Sequence, residues 1–194
     1  MSIPIIEDCT HSGKAVYNNS YVVSSFGATK LLTAAEGGGV FLNDKKTYKK
    51  LRNSLYGYNH YPYRESDINS AILLSQITNF KKMIKKRFEI AKKYNKAFQK
   101  SNDFIIPVLN EYSVIYRYVL IFKCPNEARN YIKYMKKYNI VCATPITPSP
   151  EALKIESTYN DFETIVSLPI YPSLKNWDVK RIIKKTLNYK ENKK

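Results

Sequence analysis

Tryptophan, histidine and cysteine are all scarce in this 194-residue chain, and acidic side chains are outnumbered. There is one tryptophan, there are two histidines and three cysteines, and 16 Asp and Glu face 32 Lys and Arg. Cys9, Cys124 and Cys142 are an odd number at unrelated spacings. That pattern argues against a disulfide framework or a zinc site, and for reduced thiols in the cytoplasm. No metal site is expected. No apolar run approaches the ~20 residues of a membrane span, and mean hydropathy is -0.42. The N-terminus reads Met-Ser-Ile-Pro-Ile-Ile-Glu-Asp. It lacks a basic segment ahead of a long apolar stretch, so no secretory signal is expected.

The shortage of acidic groups leaves a net charge of +16, which invites a nucleic-acid reading. The charge is mostly lysine, in pairs such as Lys45-Lys46, Lys81-Lys82, Lys85-Lys86 and Lys136-Lys137. Solvated helix faces look the same. Lys, Asn, Ile and Tyr are abundant and have A/T-rich codons, so genome composition accounts for part of the excess. With arginine scarce and no binding motif, a basic nucleic-acid-binding module is the weaker alternative. Attraction to anionic ligands, phosphorylated ones included, is the stronger consequence.

What is present is enough apolar sequence, 44% of the chain, for one domain or two small ones. Ile3 to Ile6 predicts a short buried strand that delivers Asp8 at its C-terminal end. Tyr21 to Phe26 and Gly39 to Leu42 predict two more strands, the latter closed by Asn43-Asp44. Lys45 to Leu55 reads as a short helix, and Gly57 to Arg64 as a tyrosine-rich loop. From an N-cap at Ser66, apolar residues recur at helical spacing from Ile68 through Phe98, which predicts one long helix to about Lys100. Val114 to Phe122, Ile140 to Ala143 and Ile165 to Leu168 predict strands. Asn126 and Asn176 are the expected caps of two further helices, the last with Trp177, Val179, Ile183 and Leu187 inward. Thr144 to Glu151 is expected to be loop and Lys190 to Lys194 to fray. Together the elements after residue 103 suggest a small α/β domain.

The chemistry concentrates near the N-terminus. A carboxylate (Asp8), a hydroxyl (Ser25) and a loop lysine (Lys30) precede Glu36-Gly37-Gly38-Gly39. In this order they suggest a pyridoxal phosphate site. That cofactor needs a lysine for its aldehyde, a carboxylate for its pyridine nitrogen, donors for its phosphate and a brace for its ring. Taken singly, each residue has a plainer explanation as a turn aspartate, a solvated lysine or a flexible glycine run. His60 has no partner to suggest a role, and Cys9 reads as a small buried filler.

Taken in order, the motifs resemble the DegT/StrS family of pyridoxal phosphate-dependent sugar aminotransferases. The resemblance rests on Ile6-Glu7-Asp8-Cys9-Thr10-His11-Ser12, Ser25-Phe26-Gly27-Ala28-Thr29-Lys30 and Ala35-Glu36-Gly37-Gly38. It continues in Tyr63-Arg64-Glu65-Ser66-Asp67-Ile68-Asn69-Ser70-Ala71 and ends in Leu168-Pro169-Ile170-Tyr171-Pro172-Ser173-Leu174. It implies that Lys30 is the catalytic residue, holding the cofactor as a Schiff base and shuttling a proton. It implies that Asp8 pairs with the pyridinium, His11 lies beside the ring and Ser25 binds the phosphate. Glutamate would be the amino donor and a nucleotide-linked keto-sugar the acceptor.

The resemblance implies an α/β fold, the C-terminal part of a fold-type-I transferase. Residues 1–56 would be a remnant of the cofactor-binding large domain, 57–101 a loop and long connecting helix, and 102–194 a small C-terminal α/β domain. Family members are nearly twice as long, and the half before the Asp8 strand would carry most of the phosphate grip. The stretch between His11 and Ser25 is shorter than in relatives. Pro62 replaces an asparagine that reaches a partner subunit's phosphate, and Ala143 to Pro150 lacks a histidine. The expectation is therefore a chain that works as a homodimer or with a complementing N-terminal half. The alternative is an inactive, decayed fragment.

Overall fold

Tyr21–Ser25 (β2) is the middle strand of the first sheet. Ile6–Asp8 (β1) runs parallel to it with Asp8 opposite Val23, and Gly38–Phe41 (β3) runs antiparallel with Gly38 opposite Ser25. The computed structural model describes residues 4–12, 21–56, 65–145 and 162–189. It divides into two units, Met1–Lys82 and Met83–Lys194. The loop expected at Gly57 to Arg64, His60 and most of Thr144 to Glu151 lie outside the described residues, as does the tail from Lys190.

In the first unit, β-branched Val22 and Val23 suit a pleated strand. Glycine lets β3 come close. A β-carbon on Gly38 would sit 2.9 Å from the Ser24 carbonyl oxygen, and Gly37 adopts φ +116°, a left-handed backbone that favours glycine. The N-terminal strand lies later than expected, at Ile6–Asp8, and is not buried: Ile5 is 46% and Ile6 70% exposed. As the edge strand, β1 pairs with β2 alone among the described residues. Lys45–Tyr56 (α1) follows Asp44, whose Oδ1 accepts from the Thr47 amide at 2.8 Å and caps the helix.

The single long helix expected from Ser66 is two helices, Asp67–Ile77 (α2) and Phe80–Phe98 (α3). Ser66 does cap the first, accepting from the Asn69 amide at 3.2 Å. The break comes from polar side chains that compete for backbone carbonyls. Thr78 Oγ1 and Asn79 Nδ2 both donate to the Ser75 carbonyl, and the Asn79 amide turns back to Gln76. Apolar periodicity carries across this break, which hides it.

The second unit holds Phe104–Ile105 (β4), Tyr118–Phe122 (β5), Pro125–Lys136 (α4), Ile165–Leu168 (β6) and Asn176–Leu187 (α5). The strands form an antiparallel sheet in the order β4-β5-β6. Its core joins sheet residues such as Leu120 and Val166 to Tyr94 and Phe98 of α3, Tyr131 and Met135 of α4, and Val179 and Ile182 of α5. Four expectations change here. β5 starts at Tyr118 rather than Val114: its partner β6 ends at Leu168, opposite Tyr118, and Pro169 has no amide to extend the ladder. Ile140 to Ala143 supplies one bridge, Ala143 to Ser167, rather than a strand. Cys124 and Lys175, not Asn126 and Asn176, stand at the caps of α4 and α5. Trp177 and Leu187 face outward, and Ile182 and Thr186 take the inward positions. No described helix is long and apolar enough to cross a membrane.

Candidate active site

Parallel pairing of β1 and β2 puts their C-terminal ends at one edge of the sheet, the usual place for a ligand in an α/β fold. Asp8 ends β1 and Ser25 ends β2. Each strand then enters a turn that carries a second polar group. After β1, the Cys9 amide donates to the Val23 carbonyl at 2.8 Å, and the Ser12 amide closes on the Cys9 carbonyl at 3.3 Å. This turn presents His11. After β2, the Lys30 amide closes on the Gly27 carbonyl at 3.0 Å and presents Lys30. The stretch from Phe26 to Gly37 is pinned at its ends, Phe26 amide to Gly37 carbonyl at 2.9 Å and Ala34 amide to Phe26 carbonyl at 2.8 Å. Leu31 and Ala34 are buried beneath it.

The two turns meet through their side chains. Lys30 Nζ lies 2.7 Å from His11 Nε2, across 19 residues of sequence. Asp8 Oδ1 accepts from the Thr10 amide at 2.9 Å in a turn of the kind aspartate favours. Hydrogen bonds from Thr10, with added attraction from His11 and Lys30, hold the Asp8 carboxyl below the ordinary aspartate range. Asp8 is therefore ionised across the neutral range. Ser25 Oγ accepts from the Gly27 amide at 3.4 Å. Gly27 leaves open the space between Ser25 and Lys30: a β-carbon there would sit 3.6 Å from Ser25 Oγ and 4.0 Å from Lys30 Cγ.

All four residues singled out in the sequence thus fall at one sheet edge. His11 and Lys30 touch, Asp8 is within electrostatic reach of both, and Ser25 shares the Gly27 gap with Lys30. A cavity of about 320 Å³ adjoins two of them, His11 and Ser25, with Thr10, Phe26 and Leu31 also in its wall. A larger one, about 1260 Å³, is lined by Val23, Gly38, Val40, Arg52 and Glu65 and contains none of the four. Val22 and Phe41 line the smaller cavity and Val23 and Val40 the larger, and Ser24 borders both. Residue-by-residue reading missed Thr10 and Gly27. The signal for Thr10 was an aspartate two positions before it, which predicts a turn amide on the carboxylate. Among the described residues, no cluster of His, Cys, Asp and Glu could hold a metal ion.

The chain matches the model of the DegT/DnrJ/EryC1/StrS aminotransferase family over residues 1–187. It is 28% identical to spore coat polysaccharide biosynthesis protein SpsC of Bacillus subtilis, over 92% of this chain and 58% of that protein. It is 29% identical to the UDP-4-amino-4,6-dideoxy-N-acetyl-beta-L-altrosamine transaminase of Campylobacter jejuni, over 57% of this chain and 35% of that protein. Helicobacter pylori PseC, described as an aminotransferase involved in the biosynthesis of pseudoaminic acid, has a similar structure. The TM-score is 0.83 at 22% identity, covering 98% of this chain and 60% of that one. The fold is thus that of the fold-type-I α/β transferases, and the chain spans about three-fifths of such a structure. By a match that runs through both units, the chain belongs to the DegT/DnrJ/EryC1/StrS aminotransferase family.

Proposed function

We propose that this chain carries the lysine side of an aminotransferase site that moves an amino group from glutamate to a nucleotide-linked keto-sugar. The family's cofactor is pyridoxal phosphate. The donor set here fits it in part: an ionised carboxylate and a lysine amine lie beside an imidazole and one hydroxyl that line a cavity. When bound, the cofactor supplies an aldehyde and an electron sink. Asp8 would hold the pyridine nitrogen protonated. Lys30 would carry the aldehyde carbon, and its freed amine would move the proton on and off the substrate carbon. His11 would lie beside the ring, and Ser25 would donate its hydroxyl to the phosphate. Ser25 is the one phosphate donor assigned among the described residues. The chain spans about three-fifths of the length of its relatives, and the remaining grip is assigned to the part of the fold that those relatives carry beyond it, met in a homodimer or through a complementing N-terminal half.

The observation that carries this reading is the meeting of Asp8, His11 and Lys30 at the carboxyl ends of two parallel strands. The test is covalent capture. The chain is mixed with pyridoxal phosphate, alone and beside the N-terminal two-fifths of a relative, and reduced with borohydride. A pyridoxyl group on Lys30 in the mixture, with little on the chain alone, is the expected result. Absence of the group from Lys30 in both preparations would overturn the assignment.

A further inference from the structure

Helix α2 is turned inside out. Its half-buried positions, which face the rest of the first unit, are Asn69, Leu73 and Gln76. Gln76 Oε1 accepts from the Thr33 amide at 3.4 Å. Its exposed positions include Ile68, Ala71, Ile72, Leu74 and Ile77. Turning two amides inward and aliphatic side chains outward reverses the usual pattern of a surface helix. Ile68, Ala71, Ile72 and Ser75 recur at three- and four-residue spacing and so share one face. Ser75 adds little polarity to it, because its hydroxyl donates to the Ile72 carbonyl at 2.7 Å. Exposed Phe41 of β3 borders the same cavity as Ile77, which extends the apolar surface onto the sheet.

The charge pattern argues for what covers this face. Asp67 is the only charged residue between Ser66 and Phe80, in a chain of net charge +16. Among the described helices, α2 is the one without Lys or Arg. An acidic partner gains most where lysines cluster, whereas a chain of the same sign can approach closely only where they are missing. We propose that α2 pairs with the α2 of a second copy of this chain, antiparallel, across a two-fold axis near Ala71 and Ile72. Ile68 of each copy then meets the partner's Ser75, and Ala71 meets the partner's Ile72. Large faces small at both, the self-complementarity that a two-fold contact requires. The seam rests on the homodimer in the reading above and gives it a place. It also backs the site: Gln76 holds the Thr33 amide, three residues past Lys30, so a partner that fixes α2 steadies the end of the Lys30 turn.

The test is sedimentation velocity of the full chain, without cofactor, over a concentration series. A patch built on one helix belongs to the weak end of specific interfaces, so monomer should give way to dimer as concentration rises. Added salt screens the repulsion between two chains of like charge and should favour the dimer. Ile68→Glu should weaken the association more than about 10-fold, because it puts an unpaired charge into a contact that excludes water. Ile68 is exposed, so the change should spare the fold, which circular dichroism checks. Cross-linking locates the seam without a disruptive variant. With Cys124→Ser to remove the exposed thiol, Ala71→Cys should oxidise to a linked dimer, and Lys45→Cys on α1 should not. A chain monomeric at every concentration, a dimer unmoved by Ile68→Glu, or one not captured through Ala71→Cys would overturn the seam. So would an Ala71→Cys thiol that a reagent finds open until the N-terminal two-fifths of a relative is added, which would give the face to that polypeptide. Borohydride capture on Lys30 is a separate measurement, so the seam and the cofactor reading can each fail without the other.

Discussion

At the scale of single residues, Asp8 is the site group whose protonation has a visible cause. Its carboxylate is exposed, and what burial there is works against ionisation without outweighing the hydrogen bonds. Hydrogen bonds from Thr10 are the first cause of its lowered pKa, and the positive charges of His11 and Lys30 come after. Bonds made to the charged form favour it. The linkage sign follows: a depressed native pKa adds stability above the unfolded value, and that stability is lost as pH falls through the native one. Across the neutral range Asp8 should not titrate. Carbon NMR of its carboxyl should find the midpoint below that of an ordinary aspartate, and Thr10→Ala should move it part of the way back. An unchanged midpoint in the variant would remove the Thr10 hydroxyl from the account and leave the shift to its amide. Glycine matters at the same scale. At Gly38, a methyl group would push against the Ser24 backbone and disturb the register that sets Ser25 beside the Lys30 turn.

At the scale of elements, side-chain pairing across long stretches of sequence decided what local pattern could not. Helix α5 is the case in point. Its spacing suggests Trp177, Val179, Ile183 and Leu187 as inward residues; Val179 and Ile183 are, yet Thr186 is buried and Trp177 and Leu187 are not. The reason is Tyr131 of α4. Thr186 Oγ1 donates to the Ile182 carbonyl at 2.9 Å, so Tyr131 Oη must be the donor in their 2.7 Å contact. A threonine thus sits in an aromatic core because it satisfies a buried phenol 55 residues away. Thr186→Val should cost about 2 kcal/mol by leaving that phenol without a partner. Tyr131→Phe together with Thr186→Val should cost less than the two changes summed. Denaturant titration of the single and double variants measures this, and strict additivity would refute the pairing. The same distinction explains what was legible in the sequence. Asp8, Ser25 and Lys30 could be found because each sits at the end of a short strand or within its following turn, a local signal. The Ser66 cap and strand β6 were local as well. The contact of Lys30 with His11, the bond of Arg87 to the Tyr116 carbonyl and the Thr186 pairing all join distant segments, and no window of sequence contains them. The break between α2 and α3 lay within one window. There, the apolar period outweighed Ser75, Thr78 and Asn79, whose side chains end the first helix.

At the scale of the whole molecule, the two units are unequally built. Among the described residues, the first unit buries three apolar side chains, Cys9, Leu31 and Ala34, whereas the second holds a continuous cluster of 21. Helix α2 has no buried residue, and its Ile68 and Leu74 are 75% and 65% exposed. A helix apolar on several sides is built to be covered. Burial of apolar surface is the main favourable term in folding, so the unit that carries the site should be the less stable. The cysteines report on this without any added label. Cys9 is buried in the first unit, Cys142 in the second, and Cys124 is exposed. Burial also pushes the Cys142 thiol up to about 12, which keeps it from the reactive thiolate form. As urea is raised, a thiol reagent should find Cys124 at once, Cys9 next and Cys142 last. Loss of Cys9 and Cys142 protection at one urea concentration would mean that the units unfold together, against the inequality of their cores. A complementing polypeptide that binds the native first unit must stabilise it by mass action. Its addition should therefore move the Cys9 transition to higher urea while leaving Cys142 nearly where it was. A pair of transitions that ignores the added chain would show that the first unit has no such partner.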